Sequence, residues 1–143
     1  MKRLELVRQL LADLLDDYQR FQTIETLLSA QRQAILRFAQ PQLESHTDAL
    51  MQHYRQIHQH AQQRLRGLQQ LDLTPDHSGM TQLLIGLAPA AQEHLLKVWR
   101  ELPTQLQRCQ QANRYNQQLL DMQHGLLVDC LPEPDTAAWL YQP

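Results

Sequence analysis

The chain has 143 residues and a formal net charge of −2, and 43 % of its residues are hydrophobic. Leucine (28) and glutamine (24) dominate it, whereas valine and isoleucine together number seven and glycine four. Because leucine and glutamine favour helices and β-branched residues favour strands, this composition excludes an all-β fold and argues against a nucleotide-binding α/β fold. The weak net charge argues against a general nucleic-acid binder. No uncharged apolar run reaches about 18 residues, so no transmembrane helix is predicted.

Residues 2–39 carry an apolar repeat that predicts one long helix. Apolar side chains recur every seven positions from Val7 to Ile35, and a second row that begins at Leu4 interleaves with them. Alternating steps of three and four residues are typical of a coiled-coil-like seam. Further leucines widen this seam, so we expect the helix to pack against two neighbours.

Two more long helices are predicted after the first. Pro41 can open a helix over about 42–71, because the first helical position needs no N–H donor. Residues 72–79 have the composition of a loop, a short helical turn follows at 80–87, and a third long helix is predicted over 89–128. The predicted fold is all-α: an elongated antiparallel bundle of three long helices (1–130) with an acidic, proline-containing tail (131–143).

The sequence lacks motifs for catalysis or metal binding. His46, His53 and His60 are seven residues apart, too far along one helix axis to share an ion, and are interpreted as histidines at the rim of the bundle. Asp16 and Asp17 are interpreted as part of a solvated face, since adjacent helical residues point in different directions. We therefore predict a protein that is not an enzyme and that uses neither a cofactor nor a metal.

The cysteines and the first residues predict a cytoplasmic location. Cys109 and Cys130 would lie roughly 30 Å apart on one helix, too far for a disulfide, and free thiols are typical of a reducing compartment. Cys109 lies on the apolar seam and is interpreted as a small core residue. Charged residues, among them Glu5 and Asp13, interrupt any apolar export signal.

Two polar or aromatic features leave alternatives open. Asn113 and Asn116 lie on the apolar seam of the third helix, where asparagine either fixes the register of the bundle or forms part of a partner-binding surface. The segment Trp139-Leu140-Tyr141 stands in a tail that otherwise has the composition of a disordered segment. Three consecutive large apolar or aromatic residues are unusual in a solvated tail, so the segment either folds back on the bundle or acts as a docking motif.

Several of these segments resemble the FlgN family of flagellar export chaperones. The first helix carries Leu-x-x-Leu-Leu-x-x-Tyr at 11–18, followed by Glu-Thr-Leu-Leu at 25–28. The third helix carries Trp99 and then Asn-x-x-Asn-x-x-Leu-Leu at 113–120, which is similar to the most recognisable segment of the family. The dipeptide at 140–141 resembles the Leu-Tyr of the family's tail motif.

The resemblance implies a cytoplasmic, non-enzymatic chaperone. Such proteins bind the C-terminal amphipathic segment of hook–filament junction proteins, prevent premature assembly and deliver them to the export gate of the flagellar type III apparatus. Together with the polar seam, it predicts client binding by Asn113, Asn116, Leu119, Leu120, Leu126 and Leu127. It also implies that Leu140 and Tyr141 dock on the export gate, and that neither nucleic acid nor membrane insertion is involved.

The sequence leaves three alternative functions open. A structural helical bundle could self-associate through its excess apolar face, which a mass measurement in solution would reveal. A chaperone of a virulence type III system is poorly separated from a flagellar one by sequence, and neighbouring genes would discriminate between them. A di-iron carboxylate protein would need Glu-x-x-His pairs on facing helices, and the sequence contains none.

Overall fold

The structure is a computed structural model that describes residues 2–130. It contains four helices in this range: α1 (Arg3–Leu36), α2 (Gln40–Gln70), α3 (His77–Ile85) and α4 (Pro89–Asp129). No strand occurs among the described residues, so the all-α prediction is confirmed there. The predicted count of three helices is wrong by one, because the short turn expected at 80–87 is a helix of nine residues. The predicted tail at 131–143 lies outside the described range.

Helix α1 is the centre of the bundle. It packs along both α2 and α4, whereas α2 and α4 make almost no close backbone approach to each other. The hydroxyl of Tyr18 contacts Glu101, and further along the same helices the carbonyl of Ile35 contacts Gln123. Helices α1 and α4 are therefore parallel, and α2 runs antiparallel to both, in the predicted up-down-up order.

The buried face of α1 consists of two adjacent heptad rows. The predicted seam supplies the first row, and a neighbouring row, which includes polar residues, supplies the second. The buried members of these rows are Leu14, Phe21, Leu28 and Ile35, and Leu10, Asp17, Ile24 and Gln31. This wide face lets α1 contact two long helices at once, as the sequence predicts.

The turn between α1 and α2 is tight and leaves an aromatic side chain in solvent. Helix α1 ends at Leu36, three residues before the predicted boundary, and Phe38 has a left-handed backbone with φ 54°. Such a conformation is uncommon for a residue other than glycine. The Phe38 side chain is 73 % exposed, so the strained turn does not serve to bury it.

Helix α3 begins within the predicted loop because Asp76 caps it. The Asp76 carboxylate accepts a hydrogen bond from the Gly79 backbone N–H at 2.9 Å and one from the Thr74 hydroxyl at 2.9 Å. The Gly79 bond, and then the Thr74 bond, lower the pKa of Asp76. A Cβ atom at position 79 would lie 1.8 Å from the Thr74 carbonyl oxygen, so only glycine fits this turn without a shift of the backbone.

Candidate binding surfaces

Asn116 is fully buried where α4 packs on α1. Its amide nitrogen donates to the carbonyl oxygen of Leu28 and to the side-chain oxygen of Gln31, both at 2.9 Å. Its side-chain oxygen accepts from Arg32 Nε at 3.1 Å. Both N–H donors and the oxygen are thus used inside the bundle, which favours the register-fixing interpretation. A partner cannot touch this side chain in the conformation described.

The other predicted client-binding residues lie on two rows of α4. Asn113, Leu120 and Leu127 are spaced by seven, and Leu119 and Leu126 form a second row. Asn113, Leu119 and Leu120 are half-buried, whereas Leu126 and Leu127 are 63 % and 61 % exposed. The structure spreads these residues along a helix rather than gathering them in one pocket. Their role in client binding stays a prediction.

The last turn of α4 projects beyond the end of α1. The Gln123 side-chain nitrogen donates to the Ile35 carbonyl oxygen at 2.6 Å, and α1 ends one residue later at Leu36. Residues 126–129 therefore have no part of α1 beside them. Leu36 and Phe38, both exposed, lie at the same end of the bundle. An apolar surface is thus left open at this end, and the predicted docking residues 140–141 lie outside the described residues.

A second apolar surface lies between α2 and α4, over α1. We call it the α2–α4 groove; it consists of two cavities of about 380 and 300 Å³ that share Phe21, Ile57, Ala61 and Leu106. Tyr54, Ile57, His58, Ala61 and Arg64 line it from α2, and Trp99, Pro103, Leu106, Gln110 and Asn113 line it from α4. Phe21, Leu102 and Cys109 are buried at its base. The groove was not foreseen, because heptad spacing does not say which pairs of helices touch.

Stacked side chains form one end of the groove. The Arg64 guanidinium lies 5.5 Å from the centre of the Trp99 ring, and the His77 ring stacks on the same indole at 5.0 Å. The guanidinium and the indole attract each other through the ring quadrupole. This contact joins α2, α4 and the start of α3 at one end of the groove.

Arg64 also belongs to a buried ion-pair cluster that the sequence reading missed. Its Nη2 donates to Asp17 Oδ2 at 2.8 Å, and Asp17 Oδ1 accepts from His60 Nδ1 at 2.6 Å. The remaining His60 nitrogen accepts from Gln56 at 2.8 Å. Asp17 and His60 are 2 % and 5 % exposed. The interpretations of Asp17 as a solvated residue and of His60 as a rim residue are therefore wrong.

Asp16 lies beside this pair but is more exposed, and one of its carboxylate oxygens is 3.7 Å from His60 Nδ1. Its carboxylate binds Arg20 Nε at 2.6 Å, and Arg20 in turn donates to His53 Nδ1 at 3.0 Å. Partial burial, followed by the charge of Arg20, lowers the pKa of His53. Oxygen atoms of Asp16 and Asp17 and a nitrogen of His60 lie within 4.8 Å of one another, a spacing that could hold a metal ion. Arginines already occupy both carboxylates, so the arrangement is that of an ion-pair network.

Cys109 is buried at the base of the groove, as the sequence predicts for a core residue. Its thiol donates to the Phe21 carbonyl oxygen at 3.8 Å. Burial, and then the charge of Glu25, raise the pKa of Cys109 to about 11. The thiol is therefore protonated at neutral pH and is a poor nucleophile.

The described residues form an elongated all-helical bundle. Two apolar surfaces are open to solvent, and most of the buried polar groups bond to one another. A membrane-spanning helix is not found within residues 2–130. A comparison with known protein families matches residues 1–126 to the family described as FlgN protein. The chain belongs to the FlgN family of flagellar export chaperones, which confirms the resemblance. Comparisons with curated proteins and with solved structures give no match.

Proposed function

We propose that this protein is a cytoplasmic export chaperone for flagellar hook–filament junction proteins. It binds their C-terminal amphipathic segment, keeps that segment from assembling early, and delivers the client to the gate of the type III export apparatus. It acts by binding alone, without catalysis. The observation that carries this proposal is the family match over residues 1–126.

The open end of α4 supports client binding. A segment that packs helically in a growing filament exposes an apolar stripe in its free form, and that stripe needs an apolar cover. Leu126 and Leu127 are more than half exposed and have no part of α1 beside them. Burying such a leucine side chain fully is worth about 1.5–3 kcal/mol, so a few residues of this kind suffice for a releasable contact.

Delivery to the gate is assigned to the C-terminal segment. Leu140 and Tyr141 supply an apolar contact and a hydroxyl that an interface can satisfy. Deleting residues 136–143 should abolish binding to the gate component and leave client binding intact. Loss of client binding in the same deletion would contradict this division of roles.

The proposal is tested with the full chain and labelled C-terminal segments of the junction proteins from the same genome. Leu127→Asp should weaken binding by at least about tenfold, since it places an unpaired charge in the contact. Leu4→Asp is the matched control, because Leu4 is 60 % exposed at the other end of α1. If the wild-type chain binds a scrambled segment as tightly as the true one, the chaperone function is refuted.

A further inference from the structure

We propose that a slot between the first part of α2 and the distal part of α4 holds a lysine or arginine side chain of the client. This assignment rests on the proposed function, because it names a contact that the client of that function makes. The slot is a cavity of about 310 Å³ that shares no lining residue with the α2–α4 groove. We call it the acidic slot; its main lining residues are Gln31 of α1, Leu43, Glu44, Thr47 and Asp48 of α2, and Leu120 of α4.

Both acidic residues of α2 line the acidic slot. Helix α2 contains three arginines and four histidines but only two acids, Glu44 and Asp48. These two stand four residues apart, so their side chains lie on the same face of the helix. Both are exposed, and no basic residue lines the slot. The negative charge of α2 is therefore concentrated at this one cavity.

Neither carboxylate forms an ion pair within residues 2–130. Glu44 accepts a hydrogen bond from the neutral amide of Gln40 at 3.3 Å. Arg32, which follows Gln31 in the sequence, instead donates to Asn116 at 3.1 Å and lies over the Tyr115 ring. Like charges four residues apart on a helix repel each other. A cation bound between the two carboxylates would relieve this repulsion.

The rest of the lining fits a side chain that is apolar along its length and cationic at its end. Leu43 and Leu120 are half-buried and line the slot from α2 and α4. The Gln31 amide donates to the Thr47 hydroxyl at 3.1 Å, and that hydroxyl donates to the Leu43 carbonyl oxygen at 2.8 Å.

These polar groups of the slot are thus paired with each other, which leaves the two carboxylates to bind the occupant. Lysine and arginine pack their methylene stems on apolar surface and keep the charged end in water. Such a stem would lie against the two leucines while its charged end meets the carboxylates. A hydrated metal ion would make no use of the leucine side chains.

The position of the slot indicates that the cation belongs to the client. Residues 131–143 of the chain itself contain two acids and neither lysine nor arginine, so the C-terminal segment cannot supply it. Leu120 is one of the predicted client-binding residues, and Leu127 at the open end of α4 follows it by seven positions. The two leucines are about 10 Å apart along the helix. A client helix on the open end of α4 can therefore place a basic residue in the slot.

Neutral variants of the same shape test this assignment. Glu44→Gln and Asp48→Asn are combined in the full chain, and binding of the labelled C-terminal client segment is measured by fluorescence anisotropy. Because exposed ion pairs are individually weak, we expect the double variant to lose about fivefold in affinity at low salt. Its affinity should also fall less steeply than that of the wild type as salt is added.

A matched control removes two charges elsewhere. Glu5→Gln with Glu93→Gln changes exposed residues near the starts of α1 and α4, at the other end of the bundle, and should change affinity by less than about twofold. The melting temperature of the Glu44→Gln and Asp48→Asn double variant should not fall, because the change removes a repulsion within α2. A lower melting temperature would make the two acids structural and overturn the assignment.

Substitutions in the client identify the cation. Each lysine and arginine of the segment is replaced by glutamine in turn. The residue that occupies the slot should weaken binding to the wild-type chain when it is replaced, but not binding to the double variant. Unchanged affinity in the double variant, or a loss that no client position shares, would overturn the slot assignment and leave the chaperone function standing. Absence of wild-type binding would instead refute the function.

A second copy of the chain is the other source of a cation. Sedimentation of the wild type and of the double variant without client separates this case. If the wild type is a dimer and the double variant a monomer, a basic residue of a second copy occupies the slot, and the client assignment is overturned. The same oligomeric state in both chains, together with one coupled lysine or arginine in the client, supports the assignment.

Discussion

Asp17→Asn tests whether the buried cluster holds α2 on α1. The substitution preserves the shape of the side chain but removes the charge that faces Arg64 and His60. Asp16→Asn is a control one residue away, since the Asp16 side chain is 41 % exposed and its partner Arg20 is also at the surface. Both carboxylates approach His60, so the two variants differ chiefly in burial and in the arginine that each leaves without its partner.

The structure predicts very different costs for the two changes. Breaking a buried ion pair by removing one partner costs about 3–5 kcal/mol, because the other charge stays buried without compensation. Arg64 is poorly placed to recover, since its Nε is already buried without an acceptor. Asparagine can still accept one hydrogen bond, so we expect about 3 kcal/mol for Asp17→Asn. An exposed pair contributes about 0–1 kcal/mol, which is the expectation for Asp16→Asn.

Urea unfolding followed by circular dichroism measures both values. With a slope near 2 kcal/mol per molar urea, Asp17→Asn should lower the midpoint by about 1.5 M. Replacing the ion pair, as in Asp17→Leu with Arg64→Leu, should recover part of the loss, because the charge of Arg64 is removed with that of Asp17. The recovery is incomplete because the buried His60 N–H loses its acceptor. Equal midpoints for Asp16→Asn and Asp17→Asn would refute the assignment of Asp17 to a buried ion pair.

Three further predictions concern stability and reactivity. Asn116→Leu should lower the free energy of unfolding by about 1–3 kcal/mol, since it removes a hydrogen-bond partner from both Gln31 and Arg32. The control Asn113→Leu should change that free energy by less than about 0.5 kcal/mol, and equal losses in urea titrations would contradict the register-fixing role. Gly79→Ala should lower the free energy of unfolding by about 1–3 kcal/mol, because the added Cβ clashes with the Thr74 carbonyl. Gly125→Ala, which has open space around it, should instead stabilise α4 by about 0.5–1 kcal/mol, so the two variants shift the thermal melting temperature in opposite directions. A thiol-reactive disulfide reagent at pH 8 should modify Cys130 alone in the folded chain, because Cys109, with its pKa raised to about 11, stays protonated and buried. Rapid reaction of both thiols before urea is added would contradict this prediction.

The sequence was sufficient to predict the three long helices, because their apolar repeats are long. The row from Val7 to Ile35 predicts α1, and the breaks near Pro41 and Gly79 fall within three residues of the observed ones. The short α3 was underestimated because its start depends on the cap that Asp76 provides. A cap is a local hydrogen bond, and apolar spacing carries no information about it.

The buried cluster was not predicted, because Asp17 was assigned to the solvent-exposed face on the basis of its charge. Asp17 is seven residues after Leu10 and seven before Ile24, so it lies on a row whose apolar members are buried. An acidic residue on a buried row of α1, together with histidines spaced by seven on α2, is the sequence feature that could have predicted the cluster. Acidic residues are rarely buried unless paired, and the pair partner lies 43 residues away in sequence.

The polar layers explain why the α2–α4 groove can remain open. A purely apolar trio of helices gains free energy by closing every gap between them. Here Asn116 bonds to Gln31, and Gln31 bonds to Thr47 of α2 at 3.1 Å, so one hydrogen-bonded layer links three helices at a fixed register. The cluster of Asp17 and Arg64 fixes a second level about four turns away. Moving α2 onto α4 would break both layers and leave buried polar groups unpaired, at a cost of about 1–3 kcal/mol for each such group. The groove is therefore held open by the buried polar residues that interrupt the apolar repeats of the helices.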